Sequence, residues 1–302
     1  MSACRSALLA VLLGSALVAA AAGFSRNSWS AEPPRESNSQ PPPPPRATQL
    51  TSSGCPPEMV RVDDFCIDRW ESTMVDDTTG ESLSPYYPPL PGYVDRVLDI
   101  WQLERQLWGE TRARALHLPE ISLWQRSHHY VPRAVSRANV TPQGYLSYFV
   151  ARRACERANK RLCTLDEWKR ACRGQRQTQF PYGDHYVAGK CNVARAIHPA
   201  SILHGSASLG HLDPRLNLVV ENGSDPVLRA TGATPSCISR WGNDGIADMV
   251  GNLDEWIEDE AGVFVGGFYS RSSTVGCDAR IHTHAPAYFD YSTGTRCCAQ
   301  AR

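Results

Sequence analysis

The sequence predicts an α+β domain, loop-rich and stapled by disulfides, carried behind an export signal and a proline-rich spacer. Three observations predict it. The 302-residue chain holds eleven cysteines, and all except Cys4 follow an apolar N-terminal run. The ten that remain are an even number, which in an exported chain favours bridges over free thiols or zinc. The 22 glycines and 22 prolines require much irregular backbone. Helical patterning is confined to residues 93–115 and two adjacent segments near the middle, and the remainder reads as short strands and loops.

Lys and Arg together number 31, as do Asp and Glu, so the formal net charge is zero. No global field draws nucleic acid or an anionic membrane. Apolar residues make up 42%, enough for a packed core.

Residues 1–24 read as a signal peptide. Arg5 precedes an apolar run from Ala7 to Ala22, and Ala19 to Ala22 offer small residues for cleavage. Cys4 lies before the run, so it is not a lipoprotein acceptor. The chain is therefore expected to be secreted or periplasmic. The alternative is an uncleaved N-terminal helix serving as a membrane anchor, although the run is at the short end for spanning. Residues 25–54, with Pro33, Pro34 and Pro41 to Pro45, form a polar linker that cannot bury enough to fold. A spacer role is set against a polyproline partner motif. Residues 55–302 make the folded domain.

Within it, Met59–Asp68 alternates around Asp63-Asp64 as a strand-turn-strand hairpin. Asp68, Arg69 and Glu71 are expected to form a structural ion-pair set. Residues 75–92 are a turn-rich loop. From Tyr93 to Ala115, Val94, Val97, Leu98, Trp101, Leu103, Leu107 and Trp108 recur at helical spacing. His128 and His129, being adjacent, would face opposite ways in a strand and are read as surface residues. A second helix is expected from Thr141, with Pro142 in its first turn, to Ala158, burying Tyr145, Phe149, Ala154 and Cys155 and stopped by Asn159. Thr164 and Glu167 form a capping box that opens a third helix through Cys172, with Trp168 in the core and Gly174 at its end. Phe180–Asp184 is a tight turn. The long loop 193–236 carries His198, His204 and His211 without metal-ligand spacing. Asn139-Val-Thr and Asn222-Gly-Ser match glycosylation sequons.

The densest stretch is Gly245 to Asp259, GIADMVGNLDEWIED. Asp248, Glu255 and the carbonyls between them have the composition of a loop that wraps a hard cation, with Gly251 permitting the sharp turn. An Asx turn leading into a buried Trp256 is the plainer alternative.

This stretch resembles the signature loop of the formylglycine-generating enzyme (sulfatase-modifying factor) family, usually GLYDMVGNVWEW. Five further blocks follow the family order: FCIDRWEST, ANKRLCTLDEWKRACRG, FPYGD, VGGFY and GTRCC, which together span about residues 55–299. The resemblance implies a compact, irregular relative of the C-type lectin fold. It also implies structural Ca²⁺ at Asp248, Gly251, Leu253 and Glu255, with Asn192 at a second site and Asp213 as a candidate companion. Asp254 stands in place of the usual Trp. The family block near residues 93–115 is not recognisable. The family pattern pairs Cys155 with Cys297 and Cys172 with Cys277. We infer Cys55–Cys66, Cys191–Cys237 and Cys163–Cys298 for the rest.

Family members oxidise a sulfatase cysteine with two cysteines that bind Cu(I) after a Gly-Gly motif. Here that stretch reads GGFYSRSSTVGCDARIHTHAP. Arg271 stands where the first cysteine would be, and Cys277 matches the downstream disulfide cysteine. The copper pair is missing, so a calcium-stabilised binding or scaffold module for an exported peptide or protein is expected rather than a formylglycine synthase. The alternative is a metal-dependent oxidoreductase. It would hold iron or copper at His282 and His284, which share a face if this is a strand, with Asp278 or Asp290. The expected cleft is lined by Tyr269, Arg271, His282, His284, Tyr288 and Tyr291. Nothing resembling a serine triad, a phosphate loop or a glycosidase carboxylate pair is present.

Overall fold

The hairpin forms as expected: β1 (Met59–Val62) pairs antiparallel with β2 (Phe65–Asp68), turning through Asp63 at φ 49°. The computed structural model describes residues 54–104, 115–127, 129–272 and 274–302, all within one unit, Pro44–Arg302. The signal segment, linker residues 25–53, residues 105–114 of the expected first helix and His128 lie outside the described residues. No described helix is long and apolar enough to cross a membrane.

The last strand completes the first sheet. With β5 at Arg161–Leu162 and β14 at Cys297–Gln300, the order is β1-β2-β14-β5. Adjacent cysteines in a strand face opposite ways. Cys297 accordingly bridges to Cys155 on one side of β14, and Cys298 to Cys163 on the other. The remaining three bridges are Cys55–Cys66, Cys172–Cys277 and Cys191–Cys237, so all five expected pairs are present. Each restricts the unfolded chain and contributes on the order of 2–4 kcal/mol.

A second sheet orders β12 (Arg280–Ile281), β11 (Phe264–Val265), β10 (Asp254–Trp256) and β13 (Thr293–Thr295), with β10 and β13 parallel. Two-stranded ladders join β3 (Ser72–Asp76) to β4 (Pro132–Ser136) and β8 (Ile238–Trp241) to β9 (Asp244–Ala247). The loop at 193–236 is not structureless. It carries a short helix, Pro199–His204, and a two-stranded ladder between Val220–Glu221 and Asp225–Pro226.

Helix α1 (Tyr93–Glu104) begins where the periodicity places it and buries Val94 and Val97, while Leu103 is exposed. The short helix α2 spans Leu123–Ser127. Helix α3 runs Tyr148–Arg157, so the expected start at Thr141 and Pro142 is corrected. The reason lies in the backbone donors. The N–H groups of Gln143, Gly144, Tyr145 and Leu146 go to the carbonyls of Ser72, Pro85, Asp290 and Thr293. Those donors bind strands and loops far away in sequence, so no helical ladder forms there. Ser147 is the true N-cap, accepting from the Val150 N–H. Tyr145 is buried, but in a loop at φ 61°. Phe149, expected in the core, is 51% exposed, because five to six residues before the buried Ala154 and Cys155 is the far side of the helix. Asn159, at φ 56°, ends the helix as expected.

Helix α4 (Leu165–Arg173) follows the sequence closely. Thr164 and Glu167 form the full capping box, Gly174 closes the helix, and Trp168 is 1% exposed. Asp166 and Glu167 in the first turn and Arg170 and Arg173 in the last complement its dipole. Trp168 joins Met249, Val250 and Val265 in one core cluster. α3 packs with Trp256 and Phe264 in a second. Both cores draw on the Gly245–Asp259 stretch, the first through Ile246, Met249, Val250 and Ile257 and the second through Trp256.

Candidate functional site

Three left-handed residues in five bend the signature loop: Asp248 (φ 57°), Gly251 (φ 84°) and Asn252 (φ 64°). Gly251 is required on two counts. Its φ favours glycine, and a Cβ there would sit 2.1 Å from the Asn192 carbonyl oxygen. Asn252 donates its N–H to that same carbonyl (2.8 Å), and its side-chain oxygen accepts from Asn192 Nδ2 (2.8 Å) and the Arg229 N–H.

What fixes the loop from beneath is Glu71. Its carboxylate accepts from Asn252 Nδ2 (2.6 Å) and the Leu253 N–H (3.1 Å). Asp68 and Arg69, its neighbours, pair instead with Lys160 (2.6 Å) and Asp244 (2.8 Å). Glu255 is bound by Arg296 through both Nε and Nη2 at 2.7 Å, and by Trp168 Nε1 at 2.7 Å. Arg296 is itself 1% exposed and also donates to the Asp68 and Ala247 carbonyls. Three buried carboxyls, on Glu71, Asp248 and Glu255, thus share one guanidinium. Burial, with Asp248 and Glu255 adding to it, holds Glu71 well above the usual carboxylate range. Burial likewise lifts Asp248 to about 6 against the opposing Gly232 hydrogen bond and Arg296.

The side chains named for calcium do not fit that ion as folded. Glu255 is spent on Arg296 and Trp168, and Asp248 accepts the Gly232 N–H at 2.7 Å. Asn192 gives its oxygen to Arg195 and its amide to Val227 and Asn252. Asp213, the candidate companion, is enclosed by His204 (3.0 Å) and Arg215 (2.7 Å). A Ca²⁺ ion needs about six to eight oxygens free to face it. These face N–H donors, and Arg296 supplies the positive charge.

The cleft residues separate into two groups. Arg271, partly exposed, lies over the Phe268 ring and donates Nη2 to Asp254 at 2.6 Å. Asp254 is fully buried. Burial lifts its carboxyl to about 6 in spite of Arg271. One oxygen of Asp254 and the Nε of Arg271 have no hydrogen-bond partner among the described residues. Beside them, Tyr288 donates to Asp290 at 2.5 Å, and the His284 ring stacks on Tyr288 at 3.9 Å. Tyr291, 2% exposed, meets His198 Nε2 at 3.1 Å. Tyr269 is a correction: it is 0% exposed and donates to Asn217, so it lies in the core rather than on the cleft wall.

His282 and His284 do not form the expected pair. β12 ends at Ile281, and the irregular chain beyond it leaves His282 exposed while His284 is half-buried. Of the proposed acid partners, Asp278 binds Lys169 (2.6 Å) and Arg173 (2.9 Å). Asp290 binds Tyr288 and Ser292. No group of three His, Cys, Asp or Glu side chains suited to a metal occurs among the described residues. Nothing in the spacing of His198 and His211 signals that they close on Tyr291, His211 also lying 3.9 Å from Asp290.

A model of the sulfatase-modifying factor enzyme 1-like domain matches residues 35–301. The chain belongs to that family. Among solved structures, this sulfatase-modifying factor enzyme 1-like protein is similar to PvdO from Pseudomonas aeruginosa at 15% identity and a TM-score of 0.37, covering 78% of this chain and 80% of that one. It is similar to CarF at 13% identity and a TM-score of 0.38, covering 79% and 87%. No curated protein matches it. The two positions that the resemblance marks as departures meet in space: Arg271, where it would put a cysteine, binds Asp254, where it would put a Trp. Cu(I) selects thiolates, and all ten described cysteines are in disulfides, Cys277 included. The donor set does not fit copper.

Proposed function

We propose that this chain is a non-catalytic binding or scaffold module of its family, working in an oxidising, exported setting. The observation that carries the reading is the Arg271–Asp254 ion pair standing where the resemblance would put a copper thiolate. An ion pair with one acid fully buried has a fixed geometry and no electrons to give, which suits recognition rather than oxidation. Five disulfides support the exported setting, because such bridges do not persist in a reducing cytosol. The stabiliser is the bridge framework together with the buried Glu71–Glu255–Arg296 network, in place of a calcium ion on Asp248 and Glu255. The partner is an exported peptide or protein.

Oxygen uptake tests it. The protein, supplied with Cu(I) or Fe(II) and a cysteine-bearing peptide, should consume no more oxygen than the metal alone. Uptake above that level, lost in the His282→Ala, His284→Ala variant, would establish a metal-dependent oxidoreductase instead.

A further inference from the structure

A concave surface lies beside the segment that carries Tyr288. Tyr288 itself donates to Asp290, while its neighbours Ala287 and Phe289 line a groove. The groove is about 740 Å³ and is bounded by Tyr93, Tyr130, Val131, Phe149, Phe289 and Arg153. Its size falls within the range of ligand-binding clefts.

Three features mark it as a binding surface. Tyr93 (36%), Val131 (39%) and Phe149 (51%) are three of the nine exposed large apolar side chains among the described residues, and all three border this groove. Exposed apolar side chains that share one concavity mark an interaction site where singly scattered ones do not. The walls are also pre-set. Tyr93 packs edge-on against Phe289 at 5.9 Å, Tyr130 against Trp124 at 6.0 Å, and Phe149 against Tyr148 at 5.5 Å. Pro91 and Pro132 stiffen the backbone between them. Finally, the rim carries an uncompensated cation. On α3, Arg152 pairs with Glu156 and Arg157 with Asp77, but exposed Arg153 has no ion pair among the described residues.

The spacing of Phe149 and Arg153 specifies the occupant. Four helical residues rise about 6 Å, close to the roughly 6.6 Å between residues i and i+2 of an extended chain, whose side chains point the same way. α3 itself is about 15 Å long, room for four or five extended residues. We propose that this groove binds an extended peptide segment of the form apolar-x-acidic. An aromatic or large aliphatic side chain would seat against Phe149, Tyr93 and Phe289, and an Asp or Glu two residues on would meet Arg153.

Fluorescence polarisation on the full chain tests this with labelled peptides. The probe is Ala-Pro-Phe-Ser-Glu-Ser-Ala. The controls carry Lys in place of Glu, or move Glu next to Phe. Saturable binding of the probe, at least tenfold weaker for both controls, is expected. Phe149→Ser and Arg153→Glu each weaken the probe tenfold or more, and Arg153→Glu reverses the preference toward Lys. Both positions are exposed, so these variants keep the fold, which thermal unfolding verifies. No saturable binding, or binding unchanged in Phe149→Ser, overturns the proposal. A concentration-dependent dimer in sedimentation that Phe149→Ser dissolves also overturns it, because the occupant is then a second copy of this chain. The oxygen-uptake result bears on the cleft alone and leaves this test untouched.

Discussion

Replacing Arg296 with Met should destabilise the domain by about 3–5 kcal/mol, the usual cost of removing one partner from a buried ion pair. The structure shows why the cost belongs at that level. Arg296 makes three contacts with Glu255 of 3.0 Å or shorter and hydrogen-bonds two carbonyls, and both side chains are at most 1% exposed. Methionine fills much of the volume but leaves Glu255 with only the Trp168 N–H, near two other carboxyls. Guanidinium unfolding followed by fluorescence of the eight tryptophans reads the loss directly. In a domain of this size it corresponds to a fall in Tm of roughly 6–20 °C. Adding Glu255→Gln removes the stranded charge while keeping an acceptor for Trp168, so the double variant should be more stable than the single one. A single variant within 1 kcal/mol of wild type, or a double variant no better than the single, refutes the view that Arg296 compensates this cluster.

Other outcomes follow from the same geometry. Asp254, with its carboxyl lifted to about 6, stabilises the fold fully below its unfolded value near 4 and loses that contribution as pH rises through about 6. The Tm of wild type relative to Asp254→Asn should therefore fall between pH 4 and 7, and a flat difference contradicts the assignment. Thr164→Ala removes one half of the capping box and should cost about 1 kcal/mol by chemical denaturation. Gly251→Ala combines a left-handed φ with a clash against Asn192 and should cost several kcal/mol, well above Gly80→Ala, where the added Cβ meets nothing. EDTA should leave Tm within a degree of its value in millimolar Ca²⁺. A rise with Ca²⁺ that is lost in Asp248→Ala would restore the cation reading of the signature loop.

Much of the fold was legible because its signals are local. The Asp63-Asp64 hairpin, the Thr164–Glu167 box, the Gly174 stop and the Asn159 stop each depend on residues within a few positions of one another. The family resemblance implied two of the bridges, Cys155–Cys297 and Cys172–Cys277, and Cys163–Cys298 followed from the first because Cys297 and Cys298 are adjacent. The start of α3 was not legible, because the donors of residues 143–146 are taken by strands up to about 150 positions away, which no helical periodicity reveals. The candidate site was legible only in part. Arg271 and Asp254 were each marked as departures from the family pattern, but their ion pair needed the fold to bring β10 beside the Gly266-Gly267 turn. The engagement of Asp248 and Glu255 was likewise hidden, since their partners Gly232 and Arg296 lie 16 and 41 residues away. Composition marks a carboxylate-rich loop equally well whether a cation or a buried arginine sits against it.

The most direct test of the central claim, that recognition has replaced copper chemistry in this family member, is a free-thiol count on the denatured, unreduced full chain, paired with elemental analysis of the native protein. No more than one thiol per chain, from Cys4, is expected, with neither copper nor iron in stoichiometric amount. Two further thiols, assigned by mass spectrometry to Cys172 and Cys277 and accompanied by about one copper per chain, would contradict it.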